Sequence, residues 1–247
     1  MTEPTPVRRS DERGVATLTL DSPGNRNALS AALVGRLSEL LTECAGDDGV
    51  RAVVLAHTGT TFCAGADLRN PPSPQELVGL LRQILELPKP VLARIDGHVR
   101  AGGLGLLGAC DIVASTFASD FAFTEVRIGV APAVISLTLV PRVDPRPLTR
   151  YYLTGEKFDA EDAAAIGLVT ETHYDLDEIL APVLDGIRRA SPQALAETKA
   201  LVTAKVLENF DRDADTLSAL SARLFSSDEA REGMTAFLER RDPAWVM

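Results

Sequence analysis

The 247-residue chain predicts an α/β fold built on a mostly parallel sheet and closed by a helical C-terminal part. Short apolar runs that suit buried strands recur at 15–21, 51–57, 90–95 and 111–115, and stretches with helical spacing lie between them, as parallel sheets require. From about residue 145 the strand-like runs give way to consecutive helical segments. A hydrophobic content of 45% is enough to fill a sizeable core.

VATLTLD (15–21) alternates as a strand does. SAALVGRLSELLTECAG (30–46) sets leucines 33, 37, 40 and 41 on one helical face, with Ser30 placed as N-cap. RAVVLAH (51–57) reads as a buried strand, and the long polar connection TGTTFCAGADLRNPPSP leads into the helix QELVGLLRQILEL. Long connections in compact domains tend to carry function. PVLARI (90–95) is a further buried strand, DGHVRAGG a tight glycine turn, GLGLLGAC a short apolar helix, and DIVAS another strand. RPLTRYYLTG and DAEDAAAIG follow as helices, the second ended by Gly167, and later segments open at Ser191-Pro192 and at Ser226 with Glu229. The organisation is a core over 1–190 and a helical C-terminal region over 191–247, without repeats or low-complexity segments.

Lys and Arg number 25 against 35 Asp and Glu, a formal net charge of -10, which repels a phosphate backbone and anionic lipid. Neither nucleic acid nor membrane is an expected partner. Cys44, Cys63 and Cys110 are an odd set without C-x-x-C spacing, so they indicate neither a disulfide framework nor a zinc knuckle, and no metal is expected. The start MTEPTPVRRSDERG lacks an apolar leader core, and no run of about 18 apolar residues occurs. The expected location is cytoplasmic.

GLGLLG (103–108) matches the dinucleotide fingerprint G-x-G-x-x-G. A dinucleotide fold needs a helix of several turns after the glycines and then a strand ending in an acid. Here DIVAS follows almost at once and carries no acid at its far end, while Glu125 lies beyond a further segment, SDFAF. The fingerprint reading fails on geometry. Two glycine-rich turns of similar build are more informative: AVVLAH runs into FCAGADL, and VLARI runs into HVRAGGLGLL. Each leaves backbone N–H groups unpaired at the start of a helical segment, and two such turns side by side make a two-donor oxyanion hole. Either turn alone reads as an ordinary strand-to-helix connection.

FCAGADL, DGHVRAGGLGLLGACDIV and FAFTEVRIGVAP, with RNALS near the start and EGMTAFLERRDPAW near the end, together resemble the crotonase superfamily of enoyl-CoA hydratases and isomerases. The match covers essentially the whole chain, and the order of the motifs is far more specific than any one of them. The resemblance implies a spiral of ββα units with a helical C-terminal trimerisation region, hence a homotrimer or dimer of trimers. It implies an acyl-CoA thioester substrate, with CoA part of the substrate and no separate cofactor. It places the oxyanion donors at the N–H groups of Ala64 and Gly102, and contacts to CoA at Arg26, Ala28, Ala66, Asp67 and Leu68. Neighbouring subunits complete such sites, and Lys199 and Lys205 of the tail are conceivable contributors.

Family hydratases set two glutamates over the substrate. One corresponds to Glu125, but the other falls on Gly105. A single carboxylate suits a proton shuttle between two carbons, as in the isomerases of the family. EVRIGVAPAVIS followed by RYYLTGEKFDA, however, resembles a hydratase branch that includes methylglutaconyl-CoA-type hydratases. Hydratase is the leading expectation and Δ3-Δ2-enoyl-CoA isomerase the alternative, with fatty acid metabolism the implied setting. A non-catalytic acyl-CoA-binding member is a further alternative, opposed by retention of Glu125. Glu125 also reads as a surface glutamate paired with Arg127, but its place between FAF and IGVAP favours a pocket. His98 is a possible proton carrier and Arg100 a possible anion contact; loop capping and solvation are the plainer readings of both. Asp111 reads as structural, and Cys63 and Cys110 as small core residues.

Overall fold

The structure, a computed structural model, describes residues 5–247. The first four residues of the polar start read above lie outside the described residues. The chain opens with the hairpin β1 (Val7–Glu12) and β2 (Val15–Leu20), then α1 (Ala31–Gly46), whose N-cap Ser30 accepts from Leu33 N–H. Three ββα turns follow. The first is β3 (Ala52–His57), β4 (Thr61–Cys63) and α2 (Pro74–Glu86); the second is β5 (Val91–Ile95), β6 (His98–Arg100) and α3 (Gly102–Ala109). The third is β7 (Ile112–Thr116), β8 (Asp120–Ala122), a 3-10 turn (Glu125–Ile128) and α4 (Ser136–Leu139).

The long strands of these turns form one sheet in the order β1-β2-β3-β5-β7-β10, with β10 at Glu171–His173, parallel from β2 onward. The short strands form a second sheet in the order β4-β6-β8-β9, with β9 at Lys157–Asp159, parallel across the first three. The large sheet is buried on both faces, hence its nearly continuous apolar strands. One face shares the main core with α1, α2 and α3 through Leu18, Leu37, Val53, Leu81 and Leu107. The other packs Val54, Leu92 and Ala114 against Leu176, Ile179 and Leu180 of α7 (Leu176–Arg189).

α5 (Pro145–Thr154) and α6 (Ala160–Ala165) precede α7, and Gly167 at φ +82 follows α6 as expected. α8 (Pro192–Phe225) runs 34 residues, and its Val206 and Phe210 reach the main core. α9 (Asp228–Glu239) is capped by Ser227, which accepts from Ala230 N–H, so the expected start at Ser226 is one residue early. DGHVRAGG, expected as a turn only, contains β6, and the long connection after β3 contains β4. Three-residue strands are too short for a two-residue alternation to register. Among the described residues no helix is long and apolar enough to cross a membrane.

Candidate active site

β4, β6 and β8 lie side by side and parallel, so their C-terminal ends deliver three segments to one edge of the small sheet. These are the turn 64–68, the start of α3, and Glu125. Neighbouring strands lie about 4.8 Å apart, which brings the three segments within a small molecule's reach.

The first turn is built by glycine. Gly65 sits at φ +91, and a Cβ there would fall 2.8 Å from Ala101 Cβ and 3.7 Å from Gly102 N. Leu29 N–H donates to the Gly65 carbonyl at 2.7 Å, and Asp67 N–H donates to the Leu29 carbonyl at 2.9 Å. Those two bonds bracket Ala66, whose own N–H meets no acceptor among the described residues. Gly102 N–H, at the first position of α3, is likewise without an acceptor among them. A Cβ on Gly102 would lie 2.9 Å from Leu29 Cδ1 and at contact distance, 3.9 Å, from Ala66 N, so a side chain there would press on Leu29 between the two turns. Ala101 holds φ +47 and ψ -120, a strained backbone that costs about 1–3 kcal/mol and aims the first amides of α3.

Ala64 is not the free donor expected at this turn. Its N–H donates to the Arg26 carbonyl at 3.1 Å, which closes the loop 22–28 onto the turn and removes Ala64 from the set of available amides. Ala66, expected only as a CoA contact, carries the unpaired N–H instead. The resemblance gave the motif but not the phase within it, because A-G-A offers two alanines and only the hydrogen-bond pattern separates them.

Glu125 opens the 3-10 turn after β8 and is 8% exposed. Its Oε2 has no hydrogen-bond partner among the described residues, and no ion pair joins it to Arg127, whose Nε donates to the Thr154 carbonyl. Burial pushes its carboxyl up to about 7. The position three residues past Gly102 is filled rather than vacant. A Cβ on Gly105 would fall 2.5 Å from Ile135 Cγ2 and 3.0 Å from Ile135 Cβ. A glutamate does not fit there while Ile135 keeps its place.

Arg26 is exposed with φ +59, Ala28 is 7% exposed, and Leu68 is half-buried. Asp67 is spent on its own turn and on the loop beside it, accepting from Arg69 N–H at 3.0 Å and from Asn25 Nδ2 at 3.2 Å. His98 and Arg100 both bind Asp120, His98 through Nδ1 at 2.8 Å and Arg100 by a charge pair. Arg100 also donates to the carbonyls of Val99 and Asp120. Asp111 accepts from Val91 N–H and from Lys199, both at 2.8 Å, and Lys199 donates to the Ile84 and Lys89 carbonyls. Lys199 is therefore a buried anchor of α8 rather than a free cation, while Lys205 is exposed. Burial pushes the Cys63 and Cys110 thiols up to about 12, which keeps them protonated and inert.

Sequence reasoning passed over Asn27. Fully buried, it accepts from Ser22 N–H at 2.8 Å and donates to the carbonyls of Thr58 and Thr61 at 3.0 and 2.8 Å. It thereby fixes the loop that holds Ala64 in place. Its signal was an asparagine inside RNALS, the residue type that tolerates its φ of +53.

A family model described as enoyl-CoA hydratase/isomerase matches residues 10–247. A crystal structure of an enoyl-CoA hydratase from Mycobacterium avium is 55% identical, with a TM-score of 0.92 over 98% of this chain and 100% of that one. The 1,2-epoxyphenylacetyl-CoA isomerase of Escherichia coli strain K12 is 31% identical over 95% of this chain and 96% of its own length. The mitochondrial methylglutaconyl-CoA hydratase of Mus musculus is 28% identical over 97% and 82%. The chain belongs to the enoyl-CoA hydratase/isomerase family and is an enzyme of that family with the crotonase fold.

Proposed function

We propose that the enzyme adds water across the double bond of a 2-enoyl-CoA thioester, with Glu125 as the single acid/base. The thioester oxygen sits between the N–H groups of Ala66 and Gly102. Glu125 takes one proton from a water as its oxygen bonds to Cβ, and the double-bond electrons move onto the thioester oxygen. Glu125 then returns that proton to Cα, giving the 3-hydroxyacyl-CoA. Two fixed donors lower this barrier by several kcal/mol, at roughly 3 kcal/mol for each donor lost in comparable sites. The observation that carries the reading is a buried carboxyl, with one oxygen unpartnered among the described residues and its pKa pushed up to about 7, on the turn that follows β8 at the same end of the small sheet as two unpaired amides.

CoA is assigned to the rim, with Arg26 meeting its phosphates and Ala28, Ala66 and Leu68 lining its pantetheine. The exposed Leu201, Val202, Phe237 and Leu238 of α8 and α9 are assigned to subunit contacts in a trimer or dimer of trimers. The filled position at Gly105 favours a second reading, in which Glu125 alone moves a proton between Cα and Cγ as an enoyl-CoA isomerase. Ultraviolet absorbance of the conjugated enoyl thioester separates the two. Mixing the enzyme with a short 2-enoyl-CoA lowers the signal with appearance of 3-hydroxyacyl-CoA if it hydrates. A constant signal, with conversion of a 3-enoyl-CoA to the conjugated isomer, establishes the isomerase instead.

A further inference from the structure

We propose that Ile135 selects the acyl group, by limiting the size of the substituents that Cβ of the thioester carries. The inference rests on the reading that puts the thioester oxygen between the Ala66 and Gly102 N–H groups. A Cβ on Gly102 would point at Leu29 and the Gly65-Ala66 turn, and residues three apart on a helix are neighbours on one face. Gly105 is therefore the next position along the side of α3 that receives the oxygen. The space over it is taken by Ile135, whose Cγ2 lies 2.5 Å from where a Gly105 Cβ would be. The step from one position to the other is about 5–6 Å, comparable to the span from a thioester oxygen to a group attached at Cβ. An acyl chain held at the two amides meets the Ile135 side chain there.

This wall is held from both ends. Val130 N–H donates to the Glu125 carbonyl at 3.1 Å, so the segment that carries Ile135 starts on the turn of the base. At the other end Thr138 is fully buried, and its hydroxyl lies 3.1 Å from the Gly105 carbonyl and 3.0 Å from the Ile135 carbonyl, with one proton between them. A Cβ on Gly108 would fall 2.7 Å from Thr138 Oγ1, so two glycines one turn apart let the segment 135–138 press on α3. Ile135 is itself buried and β-branched, with little freedom at χ1. A bulkier acyl group must then strain a packed segment rather than turn a free side chain. The Ile135 hydrocarbon also offers no partner to a charge, so the substituents it faces are alkyl.

The test measures, by calorimetry, the dissociation constants of butanoyl-CoA and 3-methylbutanoyl-CoA in wild type, Ile135→Val and Ile135→Ala. These saturated thioesters differ by one methyl on Cβ and bind without turnover. Ile135→Ala is expected to shift the ratio of the two constants at least about fivefold toward the branched thioester, and Ile135→Val about twofold in the same direction. Loss of packing alone weakens both thioesters alike and leaves the ratio where it was. A ratio unchanged in both variants overturns the inference. Turnover of a short enoyl-CoA is followed in the same proteins. A wild type that binds both thioesters but converts neither a 2-enoyl-CoA nor a 3-enoyl-CoA overturns the proposed function instead, and the ratio still decides the role of Ile135.

Discussion

At the scale of single residues, the site sets function against stability at Glu125. Its carboxyl has an ordinary value of 4.5 and is pushed up to about 7 in the fold, so between those values the folded state binds more protons than the unfolded one. Stability therefore falls as pH rises through that window, and above it the buried charge costs about 3 kcal/mol. Glu125→Gln removes the ionisation. In urea melts it is expected to be more stable than wild type at pH 8, with the difference shrinking toward zero at pH 4.5; a difference independent of pH contradicts the burial argument. Asn27 acts in the opposite direction. Asn27→Ala strands two carbonyls and one amide that the side chain now satisfies, and a loss of at least about 2 kcal/mol is expected in the same melts. Because the loop it ties supplies the acceptor for Ala64 N–H, activity should fall along with stability.

At the scale of elements, the arrangement of three short parallel strands accounts for the site, and it was the least legible part of the sequence. The long strands announced themselves as apolar runs, and VLARI and RAVVLAH are found within a residue of where those runs lie. β4, β6 and β8 have three residues each and left no pattern. FCAGADL and HVRAGG were therefore readable as a pair of glycine turns, but not as neighbours in a sheet. The resemblance points to Ala64 rather than Ala66 for the same physical reason: which amide stays unpaired depends on Arg26 and Leu29, distant in sequence. The packing of Ile135 against Gly105 is a second contact invisible in sequence, and it carries a prediction. Gly105→Glu is expected to lower stability by about 1–3 kcal/mol through overpacking, read as a drop in Tm, without raising the hydration rate. Adding Ile135→Ala should recover part of that loss; no recovery would show that Ile135 is not what fills the position.

At the scale of the whole molecule, the helical C-terminal end reaches back to the chemistry. α9 crosses the Glu125 turn at backbone contact: a Cβ on Gly233 would fall 2.6 Å from Ile128 Cα, and one on Gly129 would fall 2.6 Å from the Glu229 carbonyl carbon. Gly233→Val must shift either α9 or the Glu125 turn. The expected outcome is a loss of at least about tenfold in kcat with the far-ultraviolet circular dichroism retained, since small displacements of a catalytic group carry losses of that order. The Lys199–Asp111 pair fixes the other end of this system, tying α8 to β5 and α2 through a buried cation with a carboxylate and two carbonyls as partners. The change from alternating elements to consecutive helices was legible in the sequence. The return of the last helix onto Glu125 was not, because it depends on two glycines whose role is only to allow contact.

The measurement closest to the central claim is the rate at which Glu125→Gln consumes a short 2-enoyl-CoA, followed by enoyl absorbance beside the wild type at matched thioester binding. Glu125 as the acid/base predicts wild-type hydration and a variant slower by at least about a hundredfold with binding intact. Equal rates in the two proteins would contradict it and remove Glu125 from the chemistry.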